Sequence, residues 1–134
     1  CRIEYHDNNK ITLSFSGAKR PLFYCRANSN SIEQLKATRR SIGGLSSMRN
    51  KQEFFSESIG LKKDDILYLT SDGYVDQNNT DRKRFTTNKL LNILHEISFE
   101  TLENKKIILE EFLLRWMKDV DQRDDITFIG IKIK

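Results

Sequence analysis

Two acidic dipeptides are the residues of this sequence best placed to do chemistry. Asp72-Gly73 closes a stretch reading DILYLTSDGYVDQNN, Asp65 to Asn79, in which Ile66 to Thr70 are apolar, aromatic or β-branched and suit a buried strand. Asp124-Asp125 stands immediately before ITFIGIKIK, which alternates as a second strand. A strand end is a rigid place from which to aim a side chain into a cleft. If the two strands are neighbours, their carboxylates converge, and converging carboxylates repel unless a cation lies between them or one takes a proton. A hard divalent cation, Mg²⁺ or Mn²⁺, suits all-oxygen ligands, and Gly73 lets the chain turn tightly beside it. The plain alternative is that Asp-Gly is a routine turn dipeptide and that an Asp at a strand end accepts local backbone N–H bonds. Spacing alone leaves both readings open.

Other chemistries fit less well. DQNNTD from Asp76 offers oxygens at alternate positions, but a calcium loop needs Gly at its sixth position and Glu at its twelfth, and here these are Asp81 and Thr87. There is no G-x-S-x-G. His6 lies by a turn and His95 on a helix, neither with a marked partner. Cys25 ends a β run and reads as a small buried apolar residue. SIGGLS, from Ser41, has paired glycines without the Lys-Ser/Thr of a phosphate-binding loop. Two cysteines are too few for a disulfide framework and fit no zinc spacing.

The elements that must hold the acids follow from periodicity. Residues 2–6 and 10–16 are short β-rich runs joined by DNN, a hairpin signal. PLFYC is a third strand, and SIEQLKA is a fourth strand or a short helix. Residues 37–51 read as loop, QEFFSESI as a strand and GLKKDD as the turn before the Asp65 run. Leu90, Leu91, Leu94 and Ile97 share one helical face, as do Leu109, Phe112, Leu113, Trp116 and Val120. Trp116 belongs to that core stripe. Strands, then two helices, then a strand predict an α+β fold with a mostly antiparallel sheet and both helices packed on one face.

At 134 residues, with 37% hydrophobic and 31% charged residues, the chain suits one soluble globular domain. No apolar run is long enough for a membrane span, so no membrane contact is expected from this segment. The opening CRIEYHDNNK lacks the apolar core of a secretory signal, and a cytoplasmic, reducing setting is the expectation. A formal charge of +4 is a mild excess. The basic clusters TRR at 38–40 and DRKR at 81–84 carry no interleaved aromatics, so no nucleic-acid partner is expected. The chain starts in what reads as a strand, without Met, and is expected to be a piece of something longer.

SGAKRPLFYC, SIGG, DILYLTSDGYVDQNN, RKRFTTNKLLNIL and QRDDITFIGIKI occur in that order. Together they resemble the C-terminal half of the bacterial metal-dependent serine/threonine protein phosphatases of PPM type. The branch is the one with the sporulation stage II phosphatase and the stress-response sigma-factor regulators. The resemblance implies an α-β-β-α sandwich with two Mn²⁺ or Mg²⁺ ions at one end. It matches Asp72 to a metal ligand in the SDG motif and Asp124 to a ligand in the final motif, with Gly73 and Asp125 supporting them. It implies hydrolysis of phosphoserine or phosphothreonine by metal-activated water, with no catalytic side chain as nucleophile. The implied substrate is a phosphoprotein such as an anti-sigma-factor antagonist, and a sensor or signalling domain is expected upstream.

The family's N-terminal half also supplies an Asp-containing motif that bridges both ions, and no counterpart is found in this sequence. The chain, residues 1–134, is therefore expected to be the C-terminal part of one phosphatase domain, binding metal weakly or not at all and inactive alone. Missing strands predict exposed apolar sheet faces and edges, and self-association through them. The competing expectation is a non-catalytic pseudophosphatase module that binds a signalling partner.

Overall fold

The computed structural model describes residues 1–42 and 53–134. Its strands are β1 (Arg2–Tyr5), β2 (Ile11–Phe15), β3 (Leu22–Cys25), β4 (Ile32–Leu35), β5 (Glu57–Leu61), β6 (Ile66–Thr70) and β7 (Phe128–Lys132). Three helices, α1 (Gly73–Asp76), α2 (Thr87–Glu96) and α3 (Leu102–Met117), lie between β6 and β7. The predicted hairpin forms: β1 and β2 pair antiparallel, and Asn9 takes a left-handed φ of 57° in the turn, as Asn tolerates well. SIEQLKA resolves as strand β4, paired with β3.

The strands make two antiparallel sheets, ordered β1-β2-β5 and β4-β3-β6-β7. The first core lies between the sheets. Ile11, Leu13, Phe15 and Leu61 face Leu22, Tyr24, Leu67 and Ile133. The second lies between the four-stranded sheet and the helices, where Phe23, Cys25, Ile66 and Tyr68 meet Leu90, Leu94, Leu109 and Leu113. Strands β3 and β6 contribute side chains to both cores. This explains their near-continuous apolar sequence, since a strand covered on both faces has no solvent side to alternate with. The result is the expected α+β arrangement, with α2 and α3 on one face.

Three details differ from the sequence reading. Strand β5 begins at Glu57, not at the Phe54-Phe55 pair, and runs through Gly60-Leu61, which read as turn. Ile59 and Leu61 pair with Leu13 and Ile11 and alternate inward, whereas Phe54 and Phe55 are exposed and outside the strand. The end of α3 is the second difference: Lys118 takes φ 50° and the helix stops at Met117, so Val120 lies beyond the stripe it seemed to continue. The third is α1, a single helical turn directly after Asp72. Gly43-Gly44 of SIGG and the first residue of QEFFSESI fall outside the described residues.

The expected apolar sheet face is also absent from the three-stranded sheet. Its outer side carries Arg2, Glu4, Thr12, Ser14 and Ser58; Arg2 pairs with Glu4, and the Ser14 and Ser58 hydroxyls are 3.0 Å apart. Exposed apolar side chains include Tyr5 at the end of β1, Phe54 and Phe55 before β5, Ile107 and Leu114 on α3, and Ile129 on the edge strand β7. Among the described residues no helix is long and apolar enough to cross a membrane.

Candidate metal centre

Strand β6 delivers Asp72 and strand β7 follows Asp124-Asp125, and the two strands are hydrogen-bonded neighbours with Thr70 opposite Phe128. Beyond that last rung the ladder continues through Ser71. Its N–H donates to the Thr127 carbonyl at 3.0 Å. Its hydroxyl donates to the Asp125 carbonyl at 2.9 Å and accepts from the Thr127 N–H at 3.0 Å. The chain then turns into α1 at Gly73. A Cβ at that position would lie 2.4 Å from the Asp125 carbonyl oxygen, so only glycine permits this approach. The two acidic dipeptides, more than fifty residues apart in sequence, thus lie at the same end of the sheet with their backbones in contact.

The side chains there are exposed: Asp72, Asp124 and Asp125 all face solvent. Asp72 caps nothing with its carboxylate. Asp124 Oδ1 accepts from the Asp125 N–H at 2.8 Å. Among the described residues none of the three has an ion-pair partner. In the described contacts Asp125 acts through its backbone.

Asp65, at the other end of β6, is the useful contrast. It is 1% exposed. Its carboxylate accepts from the Ala27 and Lys62 N–H groups at 3.0 and 2.9 Å and from Arg26 Nη1 at 2.9 Å. That acid is fully engaged in holding turns together, whereas Asp72 has oxygen ligands to spare. Asp76 on α1 is likewise engaged, with Arg84 at 3.4 Å.

Three residues near the acids carried no role in the sequence reading. Ser71 forms the joint just described. Arg20 donates from Nη2 to the Ser71 carbonyl at 3.4 Å. Gln77, completely buried, donates from Nε2 to the Asp121 carbonyl at 3.0 Å and accepts at Oε1 from the Arg123 N–H at 3.0 Å, fixing the segment before Asp124. Ser71 was at least inside the SDG motif. Gln77 gave no signal, because a polar residue amid QNNTD looks like any solvated loop.

The turn after Asp72 is anchored from below. Tyr74 and Val75 are buried in the helix-side core, and Tyr74 stacks edge-on against Phe85 at 5.0 Å. The Tyr74 hydroxyl donates to the Leu109 carbonyl on α3 at 2.7 Å. Cys25 and the histidines stand apart from the acids. Cys25 is buried among helix-facing residues with burial pushing its thiol pKa up, the opposite of what a thiolate nucleophile needs. His6 lies 3.1 Å from the Thr12 hydroxyl and His95 Nδ1 lies 2.8 Å from the Asn30 carbonyl.

The donors fit a hard cation in kind: exposed carboxylates without protein cations to neutralise them. They fit less well in number. No group of three or more His, Cys, Asp or Glu is arranged to hold a metal ion among the described residues.

A family model described as stage II sporulation protein E matches residues 2–134. The chain belongs to the stage II sporulation protein E family. Solved structures similar to it are PP2C-type phosphatase domains. The SiaA PP2C domain of Pseudomonas aeruginosa matches at 23% identity with a TM-score of 0.77, covering 93% of this chain and 47% of that one. The manganese-presoaked SpoIIE phosphatase domain of Bacillus subtilis matches at 16% identity and a TM-score of 0.63, covering 98% and 55%. The RsbU and RsbW domains of Rv1364c from Mycobacterium tuberculosis match at 18% and 0.64, covering 92% and 32%. At these identities the structural likeness concerns the fold, and the chain spans about half the length of the first two. No curated protein sequence matches it.

Proposed function

We propose that this chain is the C-terminal part of a metal-dependent protein serine/threonine phosphatase domain and supplies part of its metal centre. The joint at Ser71 carries the reading: it brings Asp72 and the Asp124-Asp125 segment to one sheet end, where their carboxylates have no cation from the described protein. Asp72 and Asp124 would hold Mn²⁺ or Mg²⁺ through carboxylate oxygens, and Gly73 and Asp125 would keep the two segments in contact. When bound, the ions supply the activated water and the charge neutralisation that phosphoester hydrolysis needs. The substrate class is a phosphoserine or phosphothreonine protein, of which an anti-sigma-factor antagonist is the example we favour. The remaining ligands come from outside residues 1–134, so the chain alone is inactive. A cytoplasmic protein with an upstream sensor or signalling domain completes the proposal, in keeping with two unpaired cysteines.

The test is hydrolysis of a phosphoserine peptide by the full-length protein with Mn²⁺. Asp72→Asn and Asp124→Asn should each lose about 100-fold or more; rates equal to wild type would remove the metal role. In calorimetry, residues 1–134 alone should bind Mn²⁺ no more tightly than about 1 mM. Micromolar binding would overturn the claim of an incomplete centre. The competing reading, a pseudophosphatase that only docks a partner, finds its one support in the shortage of ligands among the described residues. It predicts no Mn²⁺-dependent turnover by the full-length protein.

A further inference from the structure

Gln77 is completely buried, an unusual place for a side-chain amide outside any regular element. Its two amide ends are spent on one segment: Nε2 donates to the Asp121 carbonyl and Oε1 accepts from the Arg123 N–H, each at 3.0 Å. Nε2 also lies 3.3 Å from the carbonyl of Asn78. Its own carbonyl is claimed as well, by the Phe85 N–H at 2.9 Å and by Trp116 Nε1 at 3.1 Å. Asp124 is the next residue after this clamped segment. The segment has no regular structure of its own, being neither helix nor strand from Asp121 to Asp125. Its position therefore depends on side-chain bonds, and Gln77 makes the two that grip its backbone from beneath.

We propose that Gln77 is a positioning residue: it sets where Asp124 presents its carboxylate, and it ties that placement to the last turn of α3 through Trp116. This rests on the reading of Asp124 as a metal ligand. A buried amide that grips both a carbonyl and an N–H holds a loop in one register, because sliding by one residue would leave both buried groups unpaired. Removing the grip leaves Asp124 chemically intact but unfocused, so the loss appears in metal affinity.

The experiment compares Gln77→Met, which keeps the length and loses both bonds, with Trp116→Phe, which keeps an aromatic ring but loses the indole N–H together with part of the indole's packing against Phe85. Asp124→Asn is the control. Mn²⁺ affinity is measured by calorimetry on the full-length protein, and exchange of the Arg123 amide by NMR on residues 1–134. Gln77→Met should speed Arg123 exchange and weaken Mn²⁺ binding, each about tenfold. Trp116→Phe should weaken Mn²⁺ binding severalfold while the chain stays folded, and it serves if Gln77→Met does not fold. Mn²⁺ affinity unchanged in both variants, while Asp124→Asn loses it, would overturn the role of Gln77 and leave the metal centre standing. Mn²⁺ affinity unchanged in Asp124→Asn would overturn the metal reading itself, and the role of Gln77 with it.

Discussion

Tyr68 and Tyr74 are equally deep in the helix-side core, yet their hydroxyls have different circumstances. Tyr74 donates to Leu109, while the buried Tyr68 oxygen has no hydrogen-bond partner among the described residues. Tyr74→Phe removes the hydroxyl's bond to the Leu109 carbonyl, which keeps its helical donor, and should cost about 1 kcal/mol, a fall of roughly 3–5 °C in a thermal melt. Tyr68→Phe removes an unpaired polar atom and should melt at or above the wild-type temperature. Burial raises the pKa of both phenols above the ordinary 10.0, and that of the Cys25 thiol above 9.0. A folded pKa above the unfolded one means that the folded state keeps a proton the unfolded state releases. The associated stability is complete below about pH 9 and drains away as pH climbs past 10. Lys105 works the other way, since burial lowers its pKa and the penalty for its charge fades as pH approaches 10.5. Burial and the Glu33 hydrogen bond raise the Tyr24 phenol too, so with four groups against one, melts between pH 8 and 11 should show falling stability, with a shallower slope in Tyr74→Phe. A flat profile would contradict the burial of these hydroxyls.

The elements were legible where periodicity and turn chemistry agreed. Hairpin β1–β2, strands β3 and β6 and the buried face of α2 all follow from patterns in the sequence. Strand β5 was misplaced because the Phe54-Phe55 pair outweighs Ile59 and Leu61 in hydrophobicity, and only the register against β2 reveals which pair alternates. Helix α3 was overrun because Val120 has helical spacing, but spacing carries no mark of the left-handed residue that ends the helix. The acids of the candidate site were legible through their motifs, whereas Gln77 was not, since buried polar residues in loops have no period. Gly73 shows how closely two elements can depend on one missing methyl. Gly73→Ala puts a Cβ into the Asp125 carbonyl and must push α1 away from the β7 approach. A loss of about 1–3 kcal/mol is expected in a denaturant melt, with weakened Mn²⁺ binding by the full-length protein. A variant with wild-type stability would show that the two segments do not touch as described.

The whole molecule is uneven in how it meets water. The outer side of the three-stranded sheet is polar, while strand β7 ends the other sheet with an edge that no other strand pairs among the described residues. Beside that edge a groove of about 510 Å³ opens between β7 and α3, lined by Tyr68, Leu102, Leu109, Leu113 and Phe128. Helix α3 also carries apolar residues outside the buried stripe, including Ile107 and Leu114. An open edge beside apolar surface is a template for another strand, so residues 1–134 alone should self-associate with rising concentration. Sedimentation should show dimers or larger species that Ile129→Lys, on the exposed edge, shifts back to monomer. A wild-type chain that stays monomeric at high concentration would count against a reactive β7 edge.

The last rung between β6 and β7 is made by one hydroxyl rather than by backbone alone. Opening that rung loosens both acidic segments at once, because Ser71 holds the Asp125 carbonyl and sits next to Asp72. An ion gripped by both carboxylates would brace that joint from the solvent side, and a Ser71→Ala chain would leave the two acids untied to each other.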